Sequence, residues 1–208
     1  MPPKPKFTKE EIVATALTLV SQKGIDALTA RELGECLGSS ARPIFTVFKN
    51  MEELQGEVRA AAMKRFEGYA EKAMHYTPIF KQIGMQMVLF ASEEPKLYQL
   101  LFMKENGETK NFKELFSKLG NVAETCVQVI RKDYDTTEQE AYALFENVWV
   151  YTYGIGALCA TKMCQFSEAD LMRMLGTDFM AMMMLIKSGK LNEPTPYPVQ
   201  QEEQGENH

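Results

Sequence analysis

Along most of this chain apolar residues recur at intervals of three and four, the spacing that places them on one face of an α-helix. Ile12, Ala16, Leu19 and Val20 form the first stripe. Thr8 precedes it with Glu11 three residues on, a capping box, and Gly24 follows where a helix end favours glycine. These signals predict a helix over about residues 8–23. Thr29 and Glu32 make a second capping box, with Leu33, Cys36 and Leu37 as an inner face and Gly38 as the stop. Ser40 is placed to cap a third short helix, to about Phe48, with Ile44, Val47 and Phe48 inward. Two short helices joined by a glycine-containing turn, behind a longer one, is the helix-turn-helix pattern.

The spacing continues beyond it. Asn50 can cap a helix running to about His75, with Glu52 and Glu53 in its first turn, where the helix dipole favours acids. No flexible linker separates this helix from the first unit. Further helices are expected over Pro78–Ser92, Pro95–Phe102, Phe112–Lys132, Thr137–Met163 and Ser167–Ser188, with 104–110 as a loop. The last is apolar over more than one stripe. Alternating apolar and polar runs bounded by turn signals do not occur, so the expected class is all-α, with about nine helices. Four regions follow: a disordered arm (1–7), a helix-turn-helix unit (8–50), a larger helical unit (51–190) and a disordered tail (191–208), which is Pro-rich and then acidic.

Composition narrows the class. The chain has 208 residues and a net charge of −5. It has no apolar run near the ~18 residues of a membrane helix, and no apolar core follows its charged start, so a cytoplasmic protein is expected. Residues 1–54 are electrically balanced, and no acid stands between Glu35 and Glu52, whereas Arg42 and Lys49 do. A phosphate-facing surface needs only such a local arrangement. Cys36, Cys126, Cys159 and Cys164 form no CxxC pair and the only histidines are His75 and His208, so no metal site and no cofactor are expected. The cysteines read as reduced, buried thiols, with Cys159 and Cys164 as candidates for a redox sensor.

By Phe48 the stretch TARELGECLGSSARPIFTVFKNMEEL resembles the N-terminal signature of the TetR/AcrR family of bacterial transcriptional regulators. Thr29, Leu33-Gly34, Gly38, Ser40, Phe45, Phe48, Lys49 and the acidic start ending at Leu54 carry it, with Ile12, Ala16, Leu19 and Gly24 ahead of them. Phe90-Ala91…Pro95 and Trp149…Gly154 are similar to one branch of the family's C-terminal domains. The sequence departs from the pattern at Arg42 and Pro43, where the family commonly has Gly and Thr, and near Thr46 and Val47, where it commonly has a polar aromatic. Base preference is therefore not carried over. The resemblance implies a repressor that works as a homodimer, through a four-helix interface from both copies.

A helix-turn-helix sets its second helix in the major groove, N-terminal residues toward the base edges. The candidate DNA-binding residues are Thr29, Ser40, Ala41, Arg42, Pro43, Phe45, Thr46 and Lys49. Arg42 is the candidate for a bidentate guanine contact or, equally, a phosphate contact. Thr29 and Lys49 are placed for phosphates. In the regulatory half Phe90, Tyr98, Phe102, Phe116, Trp149 and Tyr153 are candidate lining for a hydrophobic or amphipathic effector, or else ordinary core. Trp149 and Tyr153 share a helix face, and each has a polar tip on an apolar body. Two other functions fit a helical chain: a protein-interaction module whose helix-turn-helix is only structural, and a bundle-type enzyme. The second lacks paired Glu-x-x-His ligands, a nucleophile–base pair and a phosphate-cradling glycine loop.

Overall fold

Thr8 acts as its position predicts. Its hydroxyl accepts from the Glu11 N–H at 3.1 Å, and the Glu11 carboxylate accepts from the Thr8 N–H at 2.8 Å. This box opens α1 (Lys9–Lys23), which Gly24 closes at φ 86°. The computed structural model describes residues 6–103, 111–117 and 121–191, and among these there is no strand. After α1 come a 3-10 turn (Ile25–Ala27), α2 (Ala30–Cys36), a second 3-10 turn (Ile44–Thr46), α3 (Met51–Ala73), α4 (Ile79–Glu93), α5 (Pro95–Phe102), α6 (Phe112–Ser117), α7 (Asn121–Tyr134), α8 (Glu138–Ala160) and α9 (Glu168–Lys187). Asn50, Thr137 and Ser167 cap α3, α8 and α9 with their side chains, as their sequence positions suggest.

One expected helix differs. The segment from Ser40 to Phe48 is not an α-helix. Ile44 N–H donates to the Ala41 carbonyl and Thr46 N–H to that of Pro43, both three residues back, and regular geometry is limited to the 3-10 turn Ile44–Thr46. The cause is Pro43: its ring disfavours α-geometry at the preceding residue, Arg42, so the segment tightens rather than extends. Of the helix expected over 112–132, Phe112–Ser117 (α6) and Asn121–Tyr134 (α7) are helical, and 118–120 lie outside the described residues. The described residues hold nine α-helical segments. Helix ends also retreat: α3 stops at Ala73 rather than His75, and α8 at Ala160 rather than Met163.

One core runs from the first helices into the rest. Ile12, Leu33, Ile44, Phe48, Leu54 and Val58 are buried around α1–α3, and the same cluster continues through Phe66, Phe90, Tyr98, Ile130 and Leu144. α4 packs between α3 and α8, and α9 lies against α8 and α4. Phe7, expected in a disordered arm, is instead partly buried against this core. Its apolar ring covers surface that would otherwise meet water. Residues 1–5, 104–110 and 192–208, which hold the rest of the arm, the expected loop and nearly all of the tail, lie outside the described residues. The thiols are not uniformly buried: only Cys126 is, while Cys36 is exposed and Cys159 and Cys164 are half-buried. α2 is only seven residues long, and its buried positions are Leu33 and Gly34. Cys36 falls off that face.

A polar junction ties the two halves. The Glu94 carboxylate is buried at the start of α5. One of its oxygens accepts from the Ser21 hydroxyl of α1 at 2.8 Å, and the other pairs with Arg65 of α3. Arg59 Nη1 donates to the Leu100 carbonyl at 2.9 Å. α5 is held on its other side by α8: Tyr98 donates to the Tyr153 carbonyl at 3.0 Å and Gln99 to that of Ala160 at 2.7 Å. Gly156 makes this approach possible, since a Cβ there would come within 2.5 Å of the Tyr98 oxygen.

Candidate nucleic-acid interface and effector cavity

The turn after α2 is built by two glycines. Gly38 adopts φ 63° just past the C-cap Leu37. Ser39 N–H then donates to the Gly34 carbonyl at 2.8 Å and Gly38 N–H to that of Glu35 at 3.0 Å, the paired bonds of a Schellman end. Gly34 has a second role. A Cβ there would sit 2.9 Å from the Ser40 carbonyl carbon and 3.0 Å from the Ala41 nitrogen, so the chain entering the reading segment lies directly on α2. Buried Ile44 and Phe48 anchor the far side of that segment against Leu33 and the α1 stripe.

With its inner side anchored, the segment turns its other side chains outward. Ser40, Arg42, Phe45, Thr46 and Lys49 are exposed, and Ala41 and Pro43 half-buried. Phe45 exposes 46% of its surface, unusual for an aromatic with no chain partner. The Thr46 hydroxyl donates to the Pro43 carbonyl at 2.6 Å, which stiffens the 3-10 turn. The Lys49 N–H is held by the Glu53 carboxylate at 2.6 Å, leaving its ammonium free of any ion pair among the described residues. Arg42 is likewise unpaired. Thr29 stands at the other end of α2, exposed, its oxygen accepting from the Glu32 N–H at 3.1 Å. The structure thus gathers Ser40 to Lys49 into one outward-facing, acid-free segment, with Thr29 apart from it at the opposite end of α2. It adds Lys6, which was not a candidate: its ammonium donates to the Ser39 hydroxyl at 3.1 Å. The sequence signal was the pair of lysines ahead of α1.

The six aromatic candidates are in one network. Tyr98 meets Phe90, Phe102 and Tyr153, Tyr153 stacks on Trp149 at 5.3 Å, and Trp149 meets Phe116 edge-on at 5.6 Å. Most of this network is packed interior. Tyr98 is fully enclosed, and burial holds its phenol protonated well above the usual range. Tyr69, whose hydroxyl donates to Glu93 at 2.6 Å, is pushed up to about 12, by burial first and that carboxylate second. Of the six, Trp149 alone borders a described cavity. That cavity, about 30 Å³, lies among α3, α4, α7 and α8, between Phe66, Met87, Cys126, Phe145 and Thr152. A neighbour of about 60 Å³ shares Phe80, Gly84 and Val148 with it and reaches Lys81, Leu175 and Phe179. On the other side, an open groove of about 210 Å³ shares Ile83 and Val122. Thr152 has no sequence signal, being one hydroxyl in an apolar helix. It is 2% exposed, and its Oγ1 has no hydrogen-bond partner. Glu146 is half-buried and Asn147 exposed, the latter donating to the Ala143 carbonyl at 2.9 Å. Neither borders the described cavities.

The arrangement is an outward-facing helix-turn-helix on a larger helical body with cavities inside that body. Comparison with known proteins agrees. Residues 12–58 match the model of the bacterial regulatory proteins of the tetR family. Among solved structures, a TetR-family protein from Vibrio parahaemolyticus superposes with a TM-score of 0.56 at 16% identity, over 83% of this chain and 97% of that one. The fatty acid degradation regulator FadR from Bacillus halodurans gives 0.56 at 14% identity, over 88% and 97%. Thermus thermophilus FadR, a TetR-family transcriptional repressor in complex with lauroyl-CoA, gives 0.56 at 15%, over 92% and 99%. No curated protein sequence matches the chain. The family match thus covers residues 12–58, and most of the chain takes the fold of these structures.

Proposed function

We propose that this protein is a homodimeric repressor, released from a palindromic operator by a hydrophobic or amphipathic small molecule bound among α3, α4, α7 and α8. The observation that carries the reading is the segment Ser40–Lys49: anchored inward by Ile44 and Phe48, free of acids, and presenting unpaired Arg42 and Lys49 to solvent. Domain limits of about 8–50 for the DNA-binding unit and 51–190 for the effector and dimerisation unit follow from this division of labour. Arg42 and Pro43 are the base-reading positions, with Ser40, Ala41, Phe45 and Thr46 beside them; Thr29 and Lys49 hold phosphates.

One short segment reads few base pairs, so a two-fold pair of segments on half-sites a helical turn or a multiple apart supplies the rest. The surface for pairing is on α8 and α9, where Val150, Leu158, Met180, Met184 and Leu185 face solvent in the single chain. An apolar surface of this kind is stabilised by burial against a second copy.

Release is a shift between two states, by as much as the effector's affinities for them differ. α3 reaches from its Asn50 cap beside the reading segment to the groove residues Glu67 and Glu71. Glu94 joins it to α1 and α5, so a displacement of α4 or α5 by a filled cavity reaches the reading segment through one buried carboxylate. That a TetR-family repressor of the same fold holds lauroyl-CoA supports an amphipathic effector.

Footprinting the purified protein on DNA upstream of its own coding sequence tests the reading. A protected, two-fold symmetric site whose affinity falls with salt is the expected result. Protection absent at every such site would leave the helix-turn-helix as a structural element and the chain as a protein-interaction module.

A further inference from the structure

We infer that the molecule this protein senses is uncharged, with a small apolar body and a hydrogen-bonding group that the Thr152 hydroxyl bonds. The inference rests on siting the effector among α3, α4, α7 and α8, and it adds the chemistry of the contact. One atom carries it. Thr152 is 2% exposed and lines the cavity of about 30 Å³, and its Oγ1 has no hydrogen-bond partner. A buried hydroxyl gives up its bonds to water, and native structures seldom leave that cost without an offset. A ligand group that donates to Oγ1 or accepts from it supplies the offset, since a hydroxyl can do either.

The rest of the same wall decides the charge. Phe66, Phe145 and Trp149 belong to it, and no charged residue among those described lines it. A charged group seated there would lose its hydration with nothing of opposite sign to replace it. Lys81 borders the neighbouring cavity of about 60 Å³ and not this one. It is half-buried, so water still reaches its ammonium, a recourse that Thr152 lacks. Gly84 decides how the apolar body is seated, because it lines both cavities. A Cβ on Gly84 would stand 3.7 Å from Thr152 Oγ1 and 3.6 Å from Leu175 Cδ1, in the wall of the larger cavity. The missing side chain therefore leaves the hydroxyl open to that larger space. The polar group sits in the smaller cavity beside Thr152, and the body passes Gly84 to lie among Phe80, Leu175 and Phe179. Both distances are ordinary contacts, so alanine at position 84 fits without strain and fills the passage.

The full chain contains a single tryptophan, Trp149, in the wall of the smaller cavity, so its emission reports occupancy with no DNA present. Benzyl alcohol, toluene and benzoate share a ring and differ in the group it carries. Each is titrated with excitation at wavelengths that the probes do not absorb. Benzyl alcohol and toluene should each saturate the change, and benzoate should not. Thr152→Val should raise the half-saturating concentration of benzyl alcohol about fivefold and leave that of toluene unchanged. Gly84→Ala should abolish saturation by both, while its melting temperature holds or rises, because alanine favours a helix over glycine. Benzoate saturating at the same concentration as the alcohol, or Thr152→Val acting alike on the two neutral probes, overturns the inference. So does unchanged binding in Gly84→Ala. Saturation by no probe overturns it together with the siting of the effector, whereas an operator left unprotected in the footprint strikes the repressor reading alone.

Discussion

On the proposed reading, Arg42 is the residue on which DNA recognition turns. It is exposed, unpaired and followed by a proline that fixes the backbone it stands on. Arg42→Ala is expected to weaken operator binding by about 1–3 kcal/mol and to relax one base position, measured by mobility shift on operator variants. An equal loss on operator and random DNA would make it a phosphate contact. Thr152 makes the opposite kind of prediction. Thr152→Val keeps the shape and removes a hydroxyl that the folded chain leaves unbonded, so the effector-free protein should gain about 1 kcal/mol. Thermal unfolding should rise by about 2–4 °C. A fall would mean that the hydroxyl is bonded in solution. The sequence made Arg42 legible, because a basic residue in an acid-free run is visible in one dimension. Thr152 was not legible: its significance lies in the absence of a partner, which depends on what α4 brings opposite it.

At the scale of elements, the turn between α2 and the reading segment is tolerant in length and intolerant in volume. Gly34→Ala adds a methyl about where Ser40 and Ala41 backbone atoms lie. Overpacking of this kind typically destabilises by about 1–3 kcal/mol, against about 1 kcal/mol gained in helix propensity. The melting temperature should therefore move little or fall. Operator affinity should drop sharply, because the methyl displaces the reading segment itself. Binding unchanged beside a fall in stability would separate the two. Glu94 acts between elements. Glu94→Gln keeps an acceptor for Ser21 and removes the charge that holds Arg65. Operator binding should persist while the effector concentration needed for release rises, read by the same mobility shift. Unaltered release would place the coupling in α3 alone. The capping box at Thr8 was readable from sequence because it closes within four residues, whereas the one expected at Thr29 is half formed, its Glu32 carboxylate pairing with Lys23 instead. The 3-10 geometry at Ile44–Thr46 was readable in principle from Arg42-Pro43, by the restriction that proline places on its predecessor.

For the whole molecule the open question is pairing. Met180 and Met184, 63% and 71% exposed and one turn apart on α9, are too apolar for a surface that stays in water. The double substitution Met180→Glu/Met184→Glu should leave the helical content unchanged, convert a dimer to a monomer in sedimentation velocity, and reduce operator affinity with it. A wild-type chain that sediments as a monomer would end the dimer reading. One that remains dimeric after the substitution would move the interface elsewhere.

What the sequence by itself determined was everything that closes over a few residues: helical spacing, caps at Thr8, Thr29, Asn50, Thr137 and Ser167, the glycine stop at Gly38, and the acid-free run from Ser40 to Lys49. Those features define the class of the fold and the place proposed to read DNA. Tertiary structure decided what distant segments do to one another. It set the chain entering the reading segment on Gly34, pressed Tyr98 onto Gly156, drew Ser21 and Arg65 to Glu94, and left Thr152 unbonded in a cavity wall. The physical reason is range. A cap or a stripe is satisfied by neighbours in the chain, whereas a cavity, a buried carboxylate and an orphaned hydroxyl are defined by residues that only folding brings together.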